Sequence, residues 1–270
     1  WRITTRRGRR AKILTVNGSS QRGRGPPAFK DHFSGHADRY AVFRPTYPTA
    51  LFEFLADCCE RREHAWDCGT GNGQTARALA TYFARVTATD ASAAQVQAAE
   101  VHAQIDYRVA AAEQSGLADR SVDLITVSQA LHWFDIDRFF DETQRVLVPG
   151  GVLAAWSYAL CSVDSACDAV IGSLYESVDA YWPPERAIVE DGYRSIELPM
   201  PAIAAPAFEM SALWSADTML GYLRTWSACQ RNLRETGVDP VDSIESTLRA
   251  AWGADDREVR WPLALLVGRV

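Results

Sequence analysis

The sequence predicts an α/β fold, an open and mostly parallel sheet with helices on both faces, and three observations point to it. First, short β-rich runs alternate with amphipathic helical runs through the first half of the chain, the rhythm of parallel sheets covered on both sides. Second, Val122–Ser128 is a continuous β-rich run, suited to a central strand buried on both faces. Third, the run AWDCGTGNGQ at 65–74 sets a glycine turn (Gly69, Gly71, Gly73) between a strand and a helix. That helix carries Ala76, Leu79, Ala80 and Phe83 on one face, at the i, i+3, i+4, i+7 spacing of an amphipathic helix. A second strand-like run then ends in Asp90. Strand, glycine turn, helix, strand and acid is the layout of a nucleotide-binding βαβ unit.

The elements follow in order. Phe29 to Arg44 reads as a leading helix with a break, and Arg44-Pro45-Thr46-Tyr47-Pro48 as a stiff connection. Pro48 suits the first turn of the next helix, whose apolar stripe is Leu51, Phe54, Leu55 and Cys58. Strands are expected at His64–Cys68, Arg85–Asp90, Ile105–Val109, Val122–Ser128 and Val152–Trp156, with helices over Ser92–His102 and Asp135–Val148. Pro149-Gly150-Gly151 stops the second of these helices. Residues 159–205 break the rhythm with Tyr181-Trp-Pro-Pro and Leu198-Pro-Met-Pro and suggest irregular helices capping a site. A late strand over Phe208–Trp214, helices over Asp217–Glu235 and Val241–Trp252, and a last strand over Val259–Val267 complete the chain. The organisation is thus a basic tail (1–29), a ligand-binding core (30–158), an insert over the site (159–205) and a C-terminal part (206–270) completing sheet and pocket.

Charge narrows the partners. Of 28 Lys and Arg, nine fall in the first 30 residues, which hold no acid, so 19 bases face 34 acids in the rest. An acidic body opposes nucleic-acid binding, which depends on cationic contacts to phosphate. The arginine-rich start reads as a disordered tail or an artefact of cloning or gene assignment, with a targeting segment as the alternative. No 18-residue apolar run is present, so no membrane span is expected. None of the six cysteines forms a C-x-x-C pair or stands at zinc-ligand spacing from a histidine, so no metal is expected. Reduced thiols fit a cytoplasmic setting. Oligomeric state cannot be read.

The ligand is decided by spacing and charge. A dinucleotide site spaces its glycines G-x-G-x-x-G and has no acid just ahead of them; here the spacing is G-x-G-x-G, with Asp67 two residues before the first. A carboxylate there repels phosphate and can hold an ammonium group. S-adenosylmethionine has an amino acid moiety, a sulfonium and no phosphate, and is favoured over NAD. The stretch resembles motif I of the class I S-adenosylmethionine-dependent methyltransferases. Residues 32–48 (HFSGHADRYAVFRPTYP), 121–134 (SVDLITVSQALHWF), 147–156 (LVPGGVLAAW) and 225–228 (TWSA) resemble a small-molecule subgroup that includes trans-aconitate methyltransferase. The resemblance implies a Rossmann-like, seven-stranded sheet whose C-terminal strand is antiparallel, S-adenosylmethionine as cofactor and a small-molecule methyl acceptor.

Site residues follow from the motif and the resemblance together. Asp67 is expected to hold the cofactor's amino group, or its water-linked equivalent near the turn, with capping of the next helix as the alternative. Gly69, Thr70 and Gly71 supply close backbone approach. Asp90, with Ala91, stands where the family binds both ribose hydroxyls. Ala112 and Glu113 resemble the loop at the adenine edge, although this chain has alanine where the family often has aspartate. Gln129 ends the fourth strand beneath the sulfonium, and by resemblance Tyr40 or Arg44 closes over the cofactor's carboxylate. His132 and Trp133 follow the fourth strand, where side chains can face the transferred methyl. Arg224 and Trp226 are weaker substrate-pocket candidates. The expected reaction is O-methylation of a carboxylate or hydroxyl by in-line displacement. A hydroxyl acceptor requires a base, for which His132 is placed. A non-catalytic S-adenosylmethionine-binding protein and an NAD-dependent oxidoreductase stay open as alternatives.

Overall fold

Alternation along each strand divides the sheet into two apolar faces. In β1 (His64–Cys68), Trp66 and Cys68 turn to one side and Ala65 to the other. In β4 (Val122–Ser128), Ile125 and Val127 oppose Leu124, and in β5 (Leu147–Ser157), Leu153 and Ala155 oppose Val152, Ala154 and Trp156. Successive side chains point to opposite faces of a strand, so a strand apolar throughout must be covered on both. The computed structural model describes residues 45–270; the expected tail and the whole expected leading helix, with Tyr40 and Arg44, lie outside the described residues.

One face packs on α1 (Thr49–Asp57) and α2 (Gln74–Leu79) through Leu51, Leu55, Ala76 and Leu79. Between β2 (Arg85–Asp90) and β3 (Ile105–Val109) lies α3 (Ala93–Ala98), capped by the Ser92 hydroxyl accepting from the Gln95 N–H. It is shorter than the expected Ser92–His102, because the next apolar side chain, Val101, is exposed and offers no buried face for another turn. The opposite face packs on α4 (Ile136–Val146) through Phe139, Phe140 and Val146. The strand order is β3-β2-β1-β4-β5-β8, parallel except for β8 (Ala264–Arg269), which runs antiparallel to β5. Direction along the sheet reverses between β1 and β4, where ligand crevices open in such folds.

The main sheet has six strands among the described residues, one fewer than expected. Along the outer side of β8, Ala202 forms a single bridge to Gly268, and the Ile203 N–H donates to the Val267 carbonyl. Pro199 and Pro201 lack the N–H groups that a full ladder requires. The expected last strand, Val259–Val267, is two strands: β7 (Arg257–Pro262) pairs with β6 (Glu209–Trp214) in a separate two-stranded sheet, and β8 returns to the main sheet. β5 begins earlier than expected and runs through Pro149-Gly150-Gly151, with Gly150 at φ +81°.

That second sheet builds a third core with α5 (Ser165–Ser177), α7 (Ala216–Arg224), α8 (Ser227–Thr236) and α9 (Glu245–Trp252). Met210, Leu220, Trp252, Val259 and Trp261 are buried in it. The expected single helix Asp217–Glu235 is the pair α7 and α8, divided at Thr225 and Trp226. The segment 186–200, which contains α6 (Arg186–Glu190), instead packs Val189, Tyr193 and Met200 on the Ile125 face of the main sheet. No helix among the described residues is long and apolar enough to cross a membrane. Leu124 has no exposed surface, whereas Leu213 is 73 % exposed. Leu124→Ala is therefore expected to cost about 2–5 kcal/mol, and Leu213→Ala no more than about 0.5 kcal/mol. Urea denaturation of both variants checks this, and equal losses would contradict the assignment.

Candidate active site

Asp67, the penultimate residue of β1, has no exposed surface. Its Oδ2 accepts from the Thr70 hydroxyl at 2.5 Å, and its Oδ1 from the Thr126 hydroxyl of β4 at 2.8 Å. The Ala76 N–H in the first turn of α2 also donates to this carboxylate. Burial pushes its pKa up to about 7 against these hydrogen bonds, which pull it down. The carboxylate is enclosed, which suits the water-linked hold on the amino group better than direct contact, and it ties the glycine turn, α2 and β4 together. Capping of the following helix, the alternative reading, describes part of that role.

The turn is held from the other side by β2, whose Thr89 carbonyl accepts from the N–H groups of Gly69 and Thr70. All three turn glycines have positive φ, but they differ in what surrounds them. A Cβ on Gly69 would meet Ala130 Cβ at 2.6 Å, and one on Gly73 would meet Tyr107 Cε1 at 2.8 Å. Among the described residues, a Cβ on Gly71 would meet only Gln95 Oε1 within 4 Å, at 3.8 Å. Two glycines thus serve packing, and the middle one faces room for a ligand. Beside it, Asp90 accepts from the Gly71 N–H at 2.9 Å and the Ser92 N–H at 2.8 Å, which fix the plane of its carboxylate. Asp67, Gly69, Thr70, Gly71, Asp90 and Ala91 therefore converge on the carboxyl ends of β1 and β2. Ala112 is buried after β3, and Glu113 accepts from the Asp135 N–H at 2.9 Å, bridging the loops that follow β3 and β4. Gln129, past the end of β4, is held at φ +53°. Its Nε2 donates to the Tyr158 carbonyl at 2.9 Å, and its buried Oε1 has no hydrogen-bond partner among the described residues. A left-handed non-glycine residue at a strand end is the kind of strain that clusters at functional sites.

The comparisons with known proteins agree with this geometry. Residues 66–155 match the methyltransferase domain family. A Dictyostelium discoideum protein named as a methyltransferase is 33 % identical over 254 residues, covering 90 % of this chain and 97 % of its own. The chain belongs to the class I S-adenosylmethionine-dependent methyltransferases. A solved structure described as a type II methyltransferase from Anaeromyxobacter dehalogenans is 46 % identical, with a TM-score of 0.79 over 84 % of this chain and 98 % of that one. The ubiquinone/menaquinone biosynthesis C-methyltransferase of Rubrivivax gelatinosus is 39 % identical over 92 residues, 33 % of this chain and 37 % of its own. The cofactor is S-adenosylmethionine. The donor set fits it: open room over Gly71, a carboxylate fixed beside that room and an unpartnered acceptor at Gln129 suit hydroxyls and an ammonium group better than a diphosphate.

In this methyltransferase the trio after β4 is built on a 3₁₀ turn, Leu131–Trp133. His132 Nδ1 lies 3.2 Å from the Tyr193 hydroxyl, and the His132 and Trp133 rings are 4.8 Å apart. Tyr193 is fully buried at φ +61°. No periodicity marks Tyr193 in the sequence, and its role was not expected. Two weaker expectations come apart. Arg224 pairs with Asp239, Asp242 and Glu245, a clamp joining α7 to α9 and the turn before it. Trp226 packs among Tyr175, Trp182 and Tyr222 in the third core. Burial, reinforced by the positive charge of Arg186, lowers the His132 pKa to about 4. The unfolded chain titrates near 6.5. Between these values the unfolded chain takes up a proton that the folded chain refuses, so this stabilisation is complete above pH 6.5 and is lost as pH falls through 4. Denaturation at pH 7 and pH 4.5 should show His132→Phe losing up to about 3 kcal/mol less than wild type on acidification. Identical losses would contradict the depressed pKa.

Proposed function

We propose that the enzyme methylates an oxygen of a small molecule, and that the acceptor oxygen belongs to a carboxylate. The observation that carries this reading is the pairing of open room over Gly71 with the fixed carboxylate of Asp90, beneath loops joined to the elements after β5. Those joints are Gln129 to Tyr158 and His132 to Tyr193. The third core, together with the 186–200 segment, then forms a cap over the acceptor. An acidic chain body supports a small acceptor over nucleic acid.

Asp90 takes the ribose hydroxyls, with the backbone of Ala91 alongside. Gly69, Thr70 and Gly71 line the approach, and Asp67 holds their shape from behind. The Ala112 backbone and Glu113 lie at the adenine edge, where the bond to the Asp135 N–H keeps Glu113 in place. Gln129 Oε1 is suited to the ammonium group that Asp67 is too enclosed to meet. Tyr40 and Arg44 are assigned to the cofactor's carboxylate from the family resemblance alone. Trp133 offers an aromatic face, which attracts cations.

When bound, S-adenosylmethionine supplies a methyl group already activated on a sulfonium. The protein's task is alignment, which can be worth roughly 7–11 kcal/mol in favourable cases. A carboxylate acceptor is ionised at neutral pH, since its reference pKa is about 4, and needs no base. A hydroxyl acceptor needs one, and an imidazole with a pKa of about 4 is a weak base at neutral pH. His132 is better suited to hydrogen-bonding and shaping the acceptor site as a neutral ring. Asp90→Ala is expected to weaken S-adenosylmethionine binding by about 1–3 kcal/mol, through loss of charge-assisted hydrogen bonds. Calorimetric titration reads this directly, and an unchanged affinity refutes the ribose assignment.

A further inference from the structure

Between the third core and the loop after β4 stands a cation that none of the cofactor roles uses. Arg186 opens α6, and its side chain is only 18 % exposed. The guanidinium lies over two aromatic rings, 4.8 Å from the centroid of Trp182 and 5.6 Å from that of Tyr175. Its Nε donates to the Tyr175 hydroxyl at 3.1 Å and lies 3.7 Å from Glu190, which also accepts from that hydroxyl. The two terminal amino groups of Arg186 make no hydrogen bond among the described residues. In the indole beneath the guanidinium, the buried Nε1 of Trp182 has no partner among the described residues.

Of these donors, the Trp182 N–H is the one buried without a partner, whereas the Arg186 side chain keeps 18 % of its surface exposed. A buried polar group without a partner gives up about 1–3 kcal/mol of hydration with nothing in return, and a guanidinium fork is matched by a planar anion. Donors alone are left over here, so the missing partner is an acceptor. The cluster also faces the reaction side of the molecule. Tyr193, three residues after α6, sits against His132, and the charge of Arg186 acts on that histidine. Arg224, by contrast, has its charge consumed by three carboxylates.

We propose that the Arg186 guanidinium fork and the Trp182 indole N–H recognise a carboxylate of the methyl acceptor, so that the substrate class is an organic acid. This rests on the methyltransferase reading of the same site and adds the group that selects the acceptor. Arg186 is a specificity residue in this scheme. Glu190 neutralises its Nε side and leaves the fork for the ligand.

The test uses the full chain loaded with S-adenosylhomocysteine and two pairs of probes, cinnamate with cinnamamide and benzoate with benzamide. Ligand-observed NMR should give each acid a Kd at least about 10-fold below that of its amide, the scale of one charge-assisted hydrogen bond. Arg186→Gln should abolish the preference, and Trp182→Phe, which keeps a ring but removes the N–H, should reduce it. S-adenosylhomocysteine affinity should be unchanged in both variants, which also reports that they fold. Arg186→Gln should in addition raise the NMR-determined pKa of His132. Absence of acid binding, equal affinity for acid and amide, tighter binding of phenyl phosphate than of benzoate, or a preference that survives in Arg186→Gln would each overturn the proposal. Failure of the wild-type chain to bind S-adenosylhomocysteine would instead strike the underlying reading.

Discussion

The buried carboxylate of Asp67 is the constraint from which the site is built. It joins three elements that the chain delivers separately: the glycine turn through Thr70, the start of α2 through the Ala76 N–H, and β4 through Thr126, which is 59 residues further along. Placing a carboxylate where no water reaches it is expensive, and only a full set of donors keeps it there. In return, the crevice at the sheet's reversal point has one shape. The Gly69 and Gly73 sites are filled by Ala130 and Tyr107, which leaves Gly71 as the open position beside Asp90. Backbone N–H groups then fix Asp90 from two sides. A rigid wall of this sort matters for a transferase whose reagent is already activated, because alignment is most of what remains to be supplied.

In the cluster around Arg186 the chemistry changes from carboxylates to aromatic rings and a cation. Tyr175, Trp182, Trp226 and Tyr222 form a chain of ring contacts with centroids 5.1–6.2 Å apart. Arg186 lies over the Trp182 end of this chain. An anionic acceptor would be repelled by the surface at large and accepted at one place, which makes such a device selective. His132 belongs to the same corner, and its low pKa follows from burial and from that neighbouring charge.

The first four strands of the main sheet were legible in the sequence because each is a short β-rich run with punctuation at its ends, although β3 at the sheet's edge has no buried residue. Their bounds agree with expectation residue for residue. Val259–Val267 was misread because β-propensity is local: the same run serves two sheets, with Val259 and Trp261 in the third core and Val267 in the main one. The motif residues Asp67, Gly71 and Asp90 stood out in the sequence, but the enclosure of Asp67 could not, since it depends on Thr126. Arg186 and Tyr193 carry no pattern at all. Their placement comes from how an irregular segment packs, and neither period nor spacing encodes that. Arg224 shows the converse, a cation in a suggestive segment whose partners were hidden among residues 239–245.

The most direct test of the Asp67 tie is calorimetric titration of S-adenosylhomocysteine into Asp67→Ala and Asp67→Asn, each with its thermal melt. If the tie shapes the crevice, the alanine variant binds at least about 10-fold more weakly than wild type, a loss of about 1.4 kcal/mol or more. The asparagine variant, which retains an acceptor for Thr70 or Thr126, falls between the two. A folded Asp67→Ala protein with wild-type affinity would contradict the account.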